Sequence, residues 1–165
     1  MLDDQGDNMR QLKRQHGLTL IELCITMAIA GILSSAALPS LVGYVINARL
    51  KEAGTVLITE SLFARSEAIK RNTTIHVGVQ GSTLTVTQTT GTTTTVLRSD
   101  TLPLGIAAPG FQADFNGSGR TTPFGNTVSV LLGSAAAACS ADIRCPTVII
   151  DAGGSLSQCM PGACV

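Results

Sequence analysis

Four of the five cysteines, Cys139, Cys145, Cys159 and Cys164, crowd the C-terminal end of the chain, and sulfur at that density has two chemistries open to it. Zinc is usually held by paired C-x-x-C knuckles. Here five residues separate Cys139 from Cys145 and four separate Cys159 from Cys164, so no metal site is expected. An even number of cysteines in a small exported domain reads instead as two disulfides, formed in an oxidising compartment such as the periplasm. Four cysteines allow three pairings. A 145–159 bridge across a terminal hairpin, with Cys139 joined to Cys164, is the pattern preferred here. The local alternative pairs 139 with 145 and 159 with 164, the latter around Pro161-Gly162. Cys24 stands apart and reads as a small packing residue.

The other reactive side chains form no catalytic constellation. The two histidines, His16 and His76, have no nucleophile motif beside them, and no G-x-S-x-G, H-E-x-x-H or P-loop pattern occurs. Asp100, Asp114 and Asp142 lack the ligand spacing of a calcium loop and read as turn or cap residues. Arg65, Lys70, Arg71, Arg98, Arg120 and Arg144 are dispersed and read as solvating charges. Formal net charge is zero and aromatics make up 3% of the chain, which argues against nucleic acid as a main partner. Neither an enzyme nor a cofactor is expected.

The remaining chemistry lies in one carboxylate. From Leu18 to Ile46 the chain carries a single formal charge, Glu22. The run is about 29 residues, long enough to cross a bilayer. A carboxylate at the centre of such a helix costs about 2.5–3.5 kcal/mol, and less nearer its end. A buried carboxylate needs a partner. Cleavage after the small residue Gly17, which precedes the apolar run, would remove a basic leader containing Arg10, Lys13 and Arg14 and create one: the α-amine of Leu18. Basic residues flank the run on both sides, with Arg49 and Lys51 beyond it.

These residues must be positioned by a long helix and a sheet. Ile46, Leu50, Ala53, Leu57, Ala64 and Ala68 follow three- and four-residue steps, with Val56, Phe63 and Ile69 widening the stripe. The helix therefore continues past the membrane to about Asn72, with Glu67 and Arg71 an i,i+4 pair on its exposed side. Pro39 is expected to kink it. After Asn72 the period becomes two: Ile75, Val77 and Val79, then Leu84 and Val86 beyond a Gly81-Ser82 turn. A strand through Val96-Leu97 follows, then a loop over 99–110. Phe111 and Phe115 read as core anchors, Asn116–Gly119 as a turn, and Val128, Val130 and Leu132 as a strand. A loop over 133–144 precedes a hairpin of residues 147–150 and 155–158. The fold class is α+β, an antiparallel sheet packed on the outer half of a long helix. The divisions expected are a leader 1–17, a transmembrane half 18–46, an amphipathic half 47–72 and a β-rich domain 73–165.

The basic leader ending in Gly17, followed by Leu-Thr-Leu-Ile-Glu, resembles the type IV prepilin signature. Leu18 stands where that signature most often has Phe, and Pro39 where the family commonly has its kink. Ser61–Asn72, reading SLFARSEAIKRN, resembles the helix end of the GspH/FimT family of minor pilins and pseudopilins. Phe115–Arg120 is similar to that family's F-x-x-x-G-R turn. Asp151–Ser155 occupies the place of its last hairpin, with Ser155 where Arg is usual. The resemblance implies a structural subunit of a type IV pilus or type II secretion pseudopilus. It implies cleavage by prepilin peptidase after Gly17, N-methylation of Leu18, and pairing of Glu22 with a neighbour's α-amine. Partners would be other pilins or pseudopilins, the peptidase and inner-membrane lipid, with one membrane pass and a periplasmic domain. A tip subunit that captures DNA or a surface is the alternative. The arginine-rich C-terminus of DNA-binding relatives has no counterpart here, since residues 157–165 contain no Lys or Arg.

Overall fold

The computed structural model describes residues 18–160, with the backbone alone at 36–40. Gly17 and Cys164 lie outside the described residues, as does the side chain of Pro39. Helix α1 runs Leu20–Arg71, and the chain divides into two compact units, Met1–Leu38 and Pro39–Val165. Pro39, the expected kink, thus begins the second unit. Among the described residues no helix is long and apolar enough to cross a membrane; the expected span 18–46 includes the five positions without described side chains.

In the second unit, α1 is followed by β1 (Ile75–Gln80), β2 (Thr83–Thr90), β3 (Thr93–Thr101), β4 (Ile106–Ala107), β5 (Gln112–Phe115), β6 (Val128–Leu131), β7 (Gly133–Ser134), β8 (Thr147–Ile150) and β9 (Leu156–Cys159). They form three antiparallel sheets, ordered β3-β2-β1-β5, β4-β7 and β6-β8-β9. Ile46, Leu50, Ala53, Leu57, Ala64 and Ala68 of the helical stripe are buried in one core with Ile75 and Val77 of β1, Leu84 and Val86 of β2, Phe115 of β5, and Val148 and Ile150 of β8, while Val56 and Phe63 are partly buried at its border and Ile69 is exposed. Buried Ile75 and Val77 alternate with His76 and Gly78 in β1, and buried Leu84 and Val86 with Thr83, Thr85 and Thr87 in β2, which gives each of these strands one apolar face. Phe111 and Phe115 are core residues as expected.

Three readings of the elements are revised. The 99–110 stretch is not all loop: β3 runs on to Thr101 because its ladder with β2 continues to Thr83, and Ile106–Ala107 pairs with Gly133–Ser134. That second pairing also places a strand inside the expected 133–144 loop. Glu67 pairs with Arg71 but on a buried position, at 8% exposure, because Arg71 reaches over it to Gln88 of β2.

β9 crosses α1 at Gly54. A Cβ there would lie 2.5 Å from the Gln158 amide, so a larger residue at this position would displace that side chain.

Candidate functional site

Thr19 and Glu22 form a capping box at the start of α1. The Thr19 hydroxyl accepts from the Glu22 N–H at 3.3 Å, and the Thr19 N–H donates to Glu22 Oε2 at 3.2 Å. The hydroxyl also lies 3.1 Å from the same oxygen, and the first helical bond runs from Leu23 N–H to the Thr19 carbonyl. Thr-x-x-Glu is the sequence signature of this motif, and the carboxylate sits where the helix dipole favours negative charge. Sequence reasoning about a membrane charge passed over this signal. Leu18, one residue before the cap, is 74% exposed.

At the other end of α1, the three segments that carry the GspH/FimT resemblance come together. Asn72 has φ of 49° and closes the helix in a Schellman arrangement. Its N–H donates to the Ile69 carbonyl, and that of Thr73 donates to the Ala68 carbonyl. The Asn116–Arg120 turn packs on this cap. Asn116 Oδ1 accepts from the Ser118 and Arg120 N–H groups, and Gly117 lies so close to Asn72 that a Cβ would overlap its side chain. The Asp151–Ser155 turn is built alike, with Asp151 Oδ1 accepting from the Gly153 and Ser155 N–H groups, both at 2.9 Å. Gly154 then abuts the carbonyl of Gly119, and Arg65 Nε lies 3.2 Å from the Cβ positions of both glycines. Buried Thr121 ties the two turns, donating to the Asn126 carbonyl at 2.8 Å with that of Ala152 at 3.3 Å.

Besides Arg71, the dispersed cations Arg65 and Arg98 are not solvating charges. Arg65 is wedged among these glycines, and its Nε is buried without a hydrogen-bond partner. Arg98 of β3 turns inward to Glu60 Oε1 at 2.9 Å and covers the Phe63 ring at 5.2 Å. Glu60 and Ser61 are buried in the gap of the apolar stripe between Leu57 and Ala64. Asp114, read as a turn or cap residue, lies instead within β5 and pairs with His76 of β1 at 2.7 Å.

Burial pushes the Glu60 carboxyl above the ordinary 4.5, opposed by Arg98 and reinforced by Asp100. Glu67 is held below 4.5, chiefly by its bond to Arg71. A carboxyl with a raised folded value binds more protons folded than unfolded. Its contribution to stability is therefore present below 4.5 and lost as pH rises through the folded value. Glu67 acts the other way, contributing above 4.5 and losing that contribution as pH falls through its lowered value. Glu60→Gln is expected to flatten the decline in unfolding free energy just above pH 4.5, and Glu67→Gln the decline below it. Denaturant titrations across pH read both slopes.

Cys139 pairs with Cys145, their Cα atoms 5.6 Å apart. The preferred 145–159 bridge is thereby corrected. The β8–β9 register sets Cys159 opposite Thr147, so Cys145 lies two residues beyond the ladder. Instead Asn47 of α1 draws the 139–145 loop onto the helix. Its Nδ2 donates to the Asp142 carbonyl at 2.7 Å and its Oδ1 accepts from the Arg144 N–H at 2.8 Å. Among the described residues no group of three or more His, Cys, Asp or Glu could hold a metal ion.

Residues 12–38 match the prokaryotic N-terminal methylation motif, and residues 54–154 match the type II transport protein GspH. The chain has no match among curated proteins. Among solved structures it is similar to the type IV minor pilin FimU of Pseudomonas aeruginosa, at 17% identity and a TM-score of 0.57 over 70% of this chain and 95% of that one. It is also similar to the minor pseudopilin EpsH from the Type 2 Secretion System of Vibrio cholerae, at 18% identity and a TM-score of 0.53 over 69% and 98%. At these identities the likeness establishes the α+β pilin fold. The GspH match covers more than half of the sequence and takes in all but Ser155 of the three segments that converge on the helix end, so the chain belongs to the GspH family of type IV pilin-like proteins.

Proposed function

We propose that this chain is a minor pilin or pseudopilin, a structural subunit of a filament of the type IV pilus and type II secretion class. Prepilin peptidase cleaves it after Gly17, and Leu18 becomes the methylated N-terminus. Residues 18–46 cross the inner membrane once, Pro39 bends the helix, and the β-rich domain stands in the periplasm. The helix packs among those of other pilins or pseudopilins. Cys159 and Cys164 form the second disulfide. The chain carries out no catalysis.

The observation that carries this reading is the methylation motif at 12–38 on the same chain as a GspH-type unit whose buried helical stripe holds its sheets. A leader of this kind serves a protein whose membrane helix stays on the mature chain. The peptidase needs a small residue at position 17, where it reads the backbone. Intact-mass analysis of membranes is expected to show wild type beginning at Leu18 and Gly17→Val keeping residues 1–17. A wild-type chain that retains its leader would contradict the reading.

A further inference from the structure

Residues 43–51 of α1 and the disulfide-closed loop enclose an open cleft of about 920 Å³. Tyr44, Asn47 and Lys51 lie along one face of the helix at three- and four-residue steps. The opposite wall carries Asp142 and Arg144. This wall is held in place before any ligand arrives. Asn47 bonds it at two points, and buried Ile143 seats its Cδ1 against Gly43, 3.8 Å from where a Cβ would be.

What the cleft offers a ligand is positive. The Lys51 and Arg144 side chains are exposed, the Tyr44 phenol is 73% exposed, and Asp142 is the one carboxylate of the lining among the described residues. In the same turns of α1, Leu41, Val42 and Val45 are exposed apolar residues. Tyrosine and cations directly after an apolar helical run are the composition of a bilayer interface. We propose that the cleft docks the phosphate headgroup of an anionic phospholipid, with Lys51 and Arg144 as its cationic contacts and the Tyr44 hydroxyl as a donor. This inference rests on the membrane span of the proposed function, because the span is what brings residues 43–51 to the lipid surface.

The chain has one tyrosine and no tryptophan, so its tyrosine emission reports this cleft alone. The test uses the full chain in nanodiscs of phosphatidylcholine, without and with phosphatidylglycerol. Phosphatidylglycerol is expected to change Tyr44 emission and slow amide exchange over residues 140–144. A cation near an anionic surface is worth roughly fivefold in affinity. Lys51→Gln and Arg144→Gln should each raise the phosphatidylglycerol fraction giving half the change by about that factor, and Asp142→Asn should lower it. Equal behaviour in both discs, or a response untouched by the two glutamine variants, overturns the site while leaving the span intact. A response to protein density in neutral discs overturns it in favour of a second copy of the chain. Reproduction of the change by inorganic phosphate overturns the lipid as its source. A chain that enters neither disc removes the span, and this inference with it.

Discussion

Replacing Gly154 with alanine is expected to destabilise the β-rich unit by about 2–5 kcal/mol, a large part of the stability of an ordinary domain. Two costs combine. Gly154 has φ of 81°, a conformation that costs an L-residue about 1–2 kcal/mol. A Cβ there would also overlap the Gly119 carbonyl oxygen, which is backbone and cannot swing aside. Yielding would mean opening the contact between the 151–155 and 116–120 turns, and with it the seat of Arg65 on the helix end. Gly153 is the internal control. It lacks a positive φ, and a Cβ there meets only Asp151 Oδ1 at 3.3 Å. Gly153→Ala is expected to cost about 1 kcal/mol or less. Denaturant midpoints of the two variants in the full chain should differ widely; equal midpoints would show that the two turns do not depend on close backbone contact.

The second large effect concerns Glu22. Glu22→Ala is expected to be cleaved and inserted normally but to lose most of its incorporation into filaments. Two explanations of that loss are separable. In one, the carboxylate is needed as a charge, to pair with the α-amine that cleavage creates on a neighbouring subunit. In the other it is needed only to cap its own helix with Thr19, a contribution of about 0.5–2 kcal/mol. Glutamine keeps the capping box and removes the charge. Glu22→Gln is therefore expected to fail in assembly as alanine does. Normal copurification of Glu22→Gln with its assembly partners would assign the residue to capping and withdraw its assembly role.

The elements legible in the sequence were those announced by period. The stripe from Ile46 to Ala68 and the alternation at Ile75, Val77, Leu84 and Val86 name ten of the 22 core residues among those described, because burial of one face is what selects those residues. The seven-residue step from Leu57 to Ala64 was the visible sign that something else filled the stripe. Glu60 and Ser61 fill it, and a polar type cannot announce its own burial; the partner that permits it, Arg98, lies on β3. Strands β4 and β7 were missed because two-residue pairings leave no periodic trace. The 139–145 disulfide was the local alternative, ranked second because the hairpin suggested a bridge across it; the β8–β9 register sets Cys159 opposite Thr147 and leaves Cys145 two residues beyond the ladder. The resemblance named the helix end and the Asn116 and Asp151 turns separately; their convergence on Arg65 and Asn72, and the backbone contact that explains their glycines, appear only in three dimensions.

The proposed function is one of assembly. The measurement that bears on it most directly is in-cell crosslinking followed by mass spectrometry of purified filaments. The chain is expected in the filament fraction, starting at Leu18, with crosslinks from its helix to the helices of other pilin-like subunits. A chain that stays in the membrane with residues 1–17 attached and crosslinks to no pilin-like partner would contradict it.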